Sequence, residues 1–134
     1  MDVKVKKIST FEELEVWQLC RILRNQIYKI TNDFPEDEKY VLVSQMRRAA
    51  ISGTANIAEG FGRFHYQENI QFCRQARGSL FEIIDHLITS YDQGYINSST
   101  FNELKELSYK CIKVLNAYIA SIKRKKTIHN SMTK

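Results

Sequence analysis

The sequence predicts an all-α protein built as an antiparallel up-down-up-down four-helix bundle. The chain of 134 residues holds one proline and five glycines, whereas a β-sandwich with its many turns usually needs more of both. Apolar residues recur at intervals of three and four along four segments, which is the spacing of one face of a helix. Short breaks separate the segments, and long helices with short connections pack most simply as antiparallel neighbours.

The first predicted helix begins at Thr10. Thr10 and Glu13 form a T-x-x-E capping box, in which each side chain can satisfy a backbone N–H at the start of a helix. The apolar face of this helix comprises Val16, Leu19, Cys20, Leu23, Ile27 and Ile30. The polar residues 31–33 end it, and residues 1–9 are predicted to form a flexible N-terminal arm.

The second helix is predicted to begin at Pro35, because proline suits the first helical position. The acidic residues 36–38 would then lie near the positive end of the helix dipole. This helix extends to about residue 60, and its inner face consists of Leu42, Met46, Ala49, Gly53, Ile57 and Gly60. The break that follows contains Gly62, Arg63 and Phe64.

The third helix is predicted from roughly Tyr66 to Tyr91, with Gly94 as a left-handed cap after its end. The fourth begins near Thr100, which forms a second capping box with Glu103. It extends to about residue 124. The bundle is therefore predicted over residues 10–124, and residues 125–134 form a basic polar tail that frays.

Two rows of polar side chains are predicted to face each other across the second and third helices. The row on the second helix contains Gln45, Arg48, Ser52, Asn56, Glu59 and Arg63, and the row on the third contains Gln75, Ser79, Glu82 and His86. If these helices form a hairpin, Arg48 comes close to Glu82, which predicts a partly buried salt bridge. We interpret the rows as structural or interface groups; the alternative is two solvated polar faces.

The polar rows fall within segments that resemble a known family, the 23S rRNA intervening-sequence proteins. These segments are SQMRRAAISGTANIAEGFGR and ARGSLFE. The family pattern S-Q-x-R-R-A-x-x-S…N-I-A-E-G-x-x-R, followed by A-x-G-S-x-x-E, is matched by Ser44, Gln45, Arg47, Arg48, Ala49, Ser52, Asn56, Ile57, Ala58, Glu59, Gly60, Arg63, Ala76, Gly78, Ser79 and Glu82. The resemblance covers about residues 8–124.

The resemblance implies an antiparallel four-helix bundle that assembles into a ring-like homopentamer, in a family without an established activity. The accessory protein of diversity-generating retroelements is a distant relative. It is a basic pentamer that works with a reverse transcriptase and binds nucleic acid. That kinship suggests nucleic acid, or a protein partner such as a reverse transcriptase, as a ligand, although similarity of fold does not carry function by itself.

The positive charge of the chain is also compatible with nucleic acid as a ligand. The chain carries a net charge of +5, which permits contact with nucleic acid without requiring it. The predicted nucleic-acid-binding candidates are Arg47, Arg63, Arg74, Arg77, Lys123, Arg124, Lys125 and Lys126, with Phe64 and Tyr66 available for stacking. The sequence therefore predicts a non-enzymatic oligomer that binds RNA or DNA. The alternative is a scaffold or adaptor for a protein partner, with the basic residues serving solubility.

Enzymatic and cofactor-binding functions lack a matching motif. Gly60-Phe61-Gly62 follows a helix instead of a strand, so a phosphate-binding loop is not predicted. The three histidines show no metal-binding spacing, and no nucleophile and base are arranged together. We therefore predict no catalysis, no metal and no cofactor.

The cysteines and the hydropathy pattern predict a cytoplasmic protein. Cys20, Cys73 and Cys111 fall on or beside apolar stripes without a C-x-x-C pair, which favours buried free thiols in a reducing compartment. The opening segment MDVKVKKIST lacks the apolar core of a secretory signal. No apolar run approaches 18 residues, so no membrane span is predicted.

Overall fold

A computed structural model of the chain describes residues 7–133. In this range it contains four α-helices and no strand: α1 (Glu15–Thr31), α2 (Leu42–Gly62), α3 (Tyr66–Asp92) and α4 (Ser98–Met132). Two short 3-10 helices, Phe11–Glu13 and Glu36–Glu38, precede α1 and α2. The predicted all-α class is confirmed. Residues 1–6 of the predicted N-terminal arm, and Lys134 of the predicted tail, lie outside the described residues.

The first helix does not begin where the capping box predicts. Thr10 Oγ1 accepts a hydrogen bond from the Glu12 backbone N–H at 3.0 Å, and the Glu13 carboxylate accepts one from the Ser9 N–H at 3.3 Å. These bonds cap the 3-10 helix at Phe11–Glu13. Leu14 then adopts an extended conformation and is buried. Because this residue must turn inward to reach the core, the regular helix starts one residue later, at Glu15.

The prediction that the second helix begins at Pro35 is also wrong. Pro35 is extended, with ψ of 145°, and the acids after it form the 3-10 helix Glu36–Glu38. The ring centroids of Phe34 and Tyr95 lie 5.1 Å apart, and the Tyr95 hydroxyl donates to the Glu38 carboxylate at 3.0 Å. These contacts hold the connection against the end of α3, and α2 begins only at Leu42.

The ends of α3 and α4 combine one confirmed prediction with two corrections. Gly94 has a φ of +79°, the left-handed conformation predicted for it. The cap of α4 is Asn97, whose Oδ1 accepts from the Thr100 N–H at 2.8 Å, so a capping box starting at Thr100 is wrong. Residues 125–132 continue α4 instead of fraying, and Lys126 Nζ donates to Gln67 Oε1 of α3 at 2.6 Å.

The four apolar faces enclose one hydrophobic core. Contacts join α1 to α2, α2 to α3, α3 to α4 and α1 to α4. Between α2 and α3, Met46 contacts Ser90, Ser52 contacts Ser79, and Gly60 lies against Asn69, so residue numbers rise on one helix as they fall on the other. The large side chains buried in the core include Leu23, Ile27, Met46, Ile57, Leu80, Ile83, Leu87 and Leu115.

The three cysteines are free and buried, as predicted. Burial raises the pKa of the Cys73 thiol to about 12, so it stays protonated and a poor nucleophile at neutral pH. The pKa of the Cys20 thiol is raised by its hydrogen bond with Cys111 and by burial.

Among residues 7–133, no group of three or more His, Cys, Asp or Glu side chains could hold a metal ion. No helix in this range is long and apolar enough to cross a membrane.

Candidate functional site

The inner half of the polar rows joins α2 to α3 by hydrogen bonds. Ser79 Oγ donates to Ser52 Oγ at 2.9 Å. The Asn56 amide donates to the Ser52 carbonyl and to Ser52 Oγ, each at 2.9 Å. All three side chains are partly buried, so water is excluded from part of the contact. This part of the rows positions the two helices relative to each other.

The outer half of the row on α2 faces solvent in the single chain. Gln45, Arg48, Glu59 and Arg63 are exposed. Glu59 and Arg63 form a salt bridge of 2.8 Å within α2, and the Arg63 guanidinium lies 5.2 Å from the centre of the Phe72 ring. An exposed ion pair of this kind contributes about 0–1 kcal/mol to stability, so these groups are not required to hold the monomer together.

The predicted salt bridge between Arg48 and Glu82 is wrong. Among residues 7–133, no salt bridge includes Arg48, which instead lines an open groove on α2 with Ser44 and Ile51. Glu82 Oε1 lies 3.4 Å from Nε2 of His86, one turn along α3. The physical reason is exposure: both side chains reach water, and an exposed ion pair gains too little to fix two long side chains in one geometry.

Gly60 lies where α3 packs tightly against α2. A Cβ added at this position would lie 2.7 Å from Asn69 Oδ1 and 2.9 Å from Phe72 Cβ. Asn69 in turn donates to the Tyr118 hydroxyl of α4 at 3.2 Å, and burial raises the pKa of that phenol. The absence of a side chain at Gly60 therefore leaves room for Asn69, which links α3 to α4 by this hydrogen bond while it lies against α2.

Two of the predicted nucleic-acid-binding arginines are used inside the chain. Arg47 donates to Thr31 Oγ1 and Asn32 Oδ1, each at 3.0 Å, and its guanidinium lies 4.8 Å from the centre of the Tyr28 ring. It ties the end of α1 to the start of α2. Arg77 donates to Asn116 Oδ1 of α4 at 2.9 Å. These contacts indicate that both arginines have structural roles.

The remaining candidates gather at the end of the molecule where α2 turns into α3. Arg74 of α3 and Lys123 and Lys126 of α4 line a depression with a volume of about 310 Å³. Arg124 and Lys125 are exposed on the same part of α4. The continuation of α4 to Met132 places this basic run on a helix beside α3.

Aromatic side chains surround a second depression at this end, with a volume of about 400 Å³. Its lining includes Phe64, Tyr66, Gln67, Lys126, His129 and Asn130. The Tyr66 and His129 rings meet edge to face, with centroids 5.9 Å apart. The two depressions adjoin, because Gln67, Lys126 and Asn130 line both. We call the combined feature the end groove, with an aromatic part and a basic part.

Phe64 has an unusual backbone for an aromatic residue. Its φ is +52°, a left-handed conformation that costs a residue with a side chain about 1–2 kcal/mol. The residue is 87% exposed, and its ring centroid lies 6.1 Å from that of Phe61, so little burial offsets that cost. Glycine or asparagine would be the residue expected at such a position, and no contact among residues 7–133 explains why Phe64 stands there.

Charge is unevenly distributed around this end. Glu12 and Glu13 lie in the 3-10 helix before α1, Glu15 is the first residue of α1, and Glu68 is exposed near the start of α3. The part of the chain after Glu106 is basic: no acidic residue follows Glu106 in the sequence, whereas Lys110, Lys113, Lys123, Arg124, Lys125, Lys126 and Lys134 do. This one-sided run of charge is visible in the sequence. His129 and Asn130 were missed because the predicted fourth helix stopped at residue 124. Gln67 falls within the predicted third helix, but no local pattern shows that it faces α4.

Comparison with known proteins agrees with the observed helices. The chain matches the family model described as 23S rRNA-intervening sequence protein over residues 12–117. It is also similar to the crystal structure of a protein of unknown function from the S23 ribosomal protein family of Bacteroides thetaiotaomicron. The TM-score is 0.69 and the identity 21%, covering 78% of this chain and 97% of that one. No curated protein matches this chain. From the family match over most of its length, the chain belongs to the 23S rRNA-intervening sequence protein family.

Proposed function

We propose that this protein is a non-enzymatic homo-oligomer that binds RNA or DNA through its end groove and the basic residues around it. Each copy is an antiparallel up-down-up-down four-helix bundle, and copies assemble into a ring, a pentamer by resemblance to the family. In this proposal the ring multiplies a modest charge on each copy, because linked sites bind a long ligand far more tightly than one site does.

The observation that carries the nucleic-acid proposal is the end groove itself. Arg74, Lys123 and Lys126 line its basic part, and cations of this kind neutralise phosphates without regard to sequence. Exposed aromatic rings lie directly beside these cations. A cationic groove next to aromatic stacking surfaces is the arrangement that proteins use for polynucleotides. The acids around the start of α1 and Glu68 near the start of α3 repel a polyanion, which directs it toward the second half of α4.

Self-association is supported by Gly78 and by the exposed half of the polar row. Gly78 is exposed within α3, and a Cβ added there would meet no atom within 4 Å. A glycine inside a helix costs about 0.5–1 kcal/mol relative to alanine, and nothing within the described residues explains that cost. The close approach of another copy would explain it. The exposed Gln45 and Arg48 would then supply hydrogen bonds to that copy.

Replacing Gly78 by alanine should weaken assembly while stabilising the isolated chain. The added methyl group raises helix propensity by about 0.5–1 kcal/mol, but it occupies the space that the neighbouring copy needs. We expect sedimentation-velocity experiments to show a shift from the assembled to the dissociated species, with a higher thermal midpoint for the dissociated chain. Gly62→Ala is the matched control, since a Cβ there also meets open space and Gly62 is the last residue of α2, whereas Gln45 and Arg48 lie near its start. Unchanged assembly of Gly78→Ala would contradict the proposed interface.

Nucleic-acid binding is tested by fluorescence anisotropy with labelled RNA and DNA at increasing salt. We expect binding at about 50 mM salt and a linear fall of log K with log salt concentration, because counterions are released from the phosphates. If the protein is retained on neither heparin nor RNA at low ionic strength, the nucleic-acid proposal is contradicted. If a partner protein is retained while nucleic acid is not, the scaffold or adaptor function is favoured instead.

A further inference from the structure

The position of Phe64 in the end groove indicates which form of polynucleotide the groove fits. We propose that the aromatic part receives an unpaired base of a single strand, stacked on Phe64, while the basic part holds the neighbouring phosphates. This inference rests on the proposed nucleic-acid function and specifies its ligand. It commits to a single-stranded polynucleotide, whether RNA or DNA.

The first argument is the backbone of Phe64. A left-handed φ of +52° is disfavoured for an aromatic residue, and strain of this kind points to a function when the local packing does not explain it. Packing does not explain it here, because 87% of the residue is exposed. A ring held out into solvent at a strained position is suited to stack on a ligand that has a flat face.

The second argument is the chemistry of the groove beside that ring. Gln67 and Asn130 line the aromatic part, and their amides can donate to and accept from the edge of a base. Lys126 lines both parts of the groove, so it lies between the proposed base and phosphate positions. Bases can reach such a pocket only when they are unpaired, because in a duplex their faces are covered by stacking.

The test compares one labelled twelve-nucleotide strand with its duplex, in ribose and deoxyribose versions, on the full chain. Phe64→Gly removes the ring and relieves the left-handed strain, so we expect a thermal midpoint at or above that of the natural protein. We also expect about tenfold weaker single-strand binding, the range that one lost base–aromatic stack gives. Duplex binding should change less than about twofold. A preference between the ribose and deoxyribose strands identifies which polynucleotide the groove takes.

A second readout reports stacking directly. The strand carries 2-aminopurine, whose fluorescence is quenched when the base stacks; we expect quenching by the natural protein and by Phe64→Tyr, and its loss with Phe64→Gly. Single-strand affinity and quenching unchanged in Phe64→Gly would overturn the inference while leaving the proposed function intact. If the protein binds none of the four probes, that is, neither the strand nor the duplex in either the ribose or the deoxyribose version, the proposed function itself is contradicted. If poly-glutamate binds as tightly as the single strand, and its binding is unchanged in Phe64→Gly, the inference is overturned in favour of an acidic protein ligand.

Discussion

Gly60→Ala should destabilise the protein by about 1–3 kcal/mol, the usual effect of inserting a methyl group into a packed contact. The new Cβ would lie 2.7 Å from Asn69 Oδ1 and 2.9 Å from Phe72 Cβ, and the Asn69 carbonyl is only 3.2 Å away. Side-chain rotation can relieve the contact with Oδ1, but the other two atoms belong to the backbone of α3 or to the first carbon beyond it. The helices must therefore move apart, and the bond from Asn69 to Tyr118 lengthens or breaks.

Urea unfolding followed by circular dichroism at 222 nm measures this effect as a change in the free energy of unfolding. The matched control is Gly62→Ala, two residues further along α2, where a Cβ would meet nothing within 4 Å. We expect the control to lie within about 1 kcal/mol of the natural protein, because only helix propensity changes. If both variants have the same stability as the natural protein, the close approach of α2 and α3 at Gly60 is not a determinant of the fold.

The apolar stripes could be predicted from the sequence because burial imposes the helical period on residue type. Cys20, Met46, Ala76 and Leu115 are buried at positions where the stripes place them. The helix starts could not be predicted in the same way. Thr10 does cap, but it caps a 3-10 helix, because Leu14 has to reach the core before a regular helix can begin. A capping motif in the sequence indicates that a helical turn starts nearby, whereas tertiary packing determines the residue at which the long helix starts.

The candidate site was predictable in composition but not in arrangement. Phe64, Tyr66 and the basic run 123–126 were recognised from residue type. Arg47 is basic like the residues of that run, yet its partners Thr31 and Asn32 lie at the end of α1, and no local pattern reveals them. The left-handed residue of the α2–α3 connection is Phe64, although two glycines lie within four residues before it. Sequence reasoning assigns such a position to glycine, so it could not identify the strained ring.

Removing the four charges of the basic run is expected to have the largest effect on binding. In the variant, Lys123, Arg124, Lys125 and Lys126 are all replaced by alanine. Each phosphate contact with a single strand contributes about −0.7 to the slope of log K against log salt, so four contacts contribute about −2.8, a factor of about 50 between 50 and 200 mM. We expect the variant to bind a single strand roughly a hundredfold more weakly at 50 mM salt, with a slope reduced by as much as about 2.8.

The matched control removes the same amount of charge from elsewhere: Arg21, Lys29, Lys39 and Lys110, all exposed, become alanine. Both variants keep α4 helical, because alanine has the highest helix propensity, and circular dichroism checks this. If the basic run binds phosphates locally, the control retains most of the slope of the natural protein. If both variants lose affinity equally, binding depends on the net charge of the chain, and the end groove is not the site of contact. Anisotropy titrations at four salt concentrations separate these results, because a local site changes the slope whereas net charge shifts both variants alike.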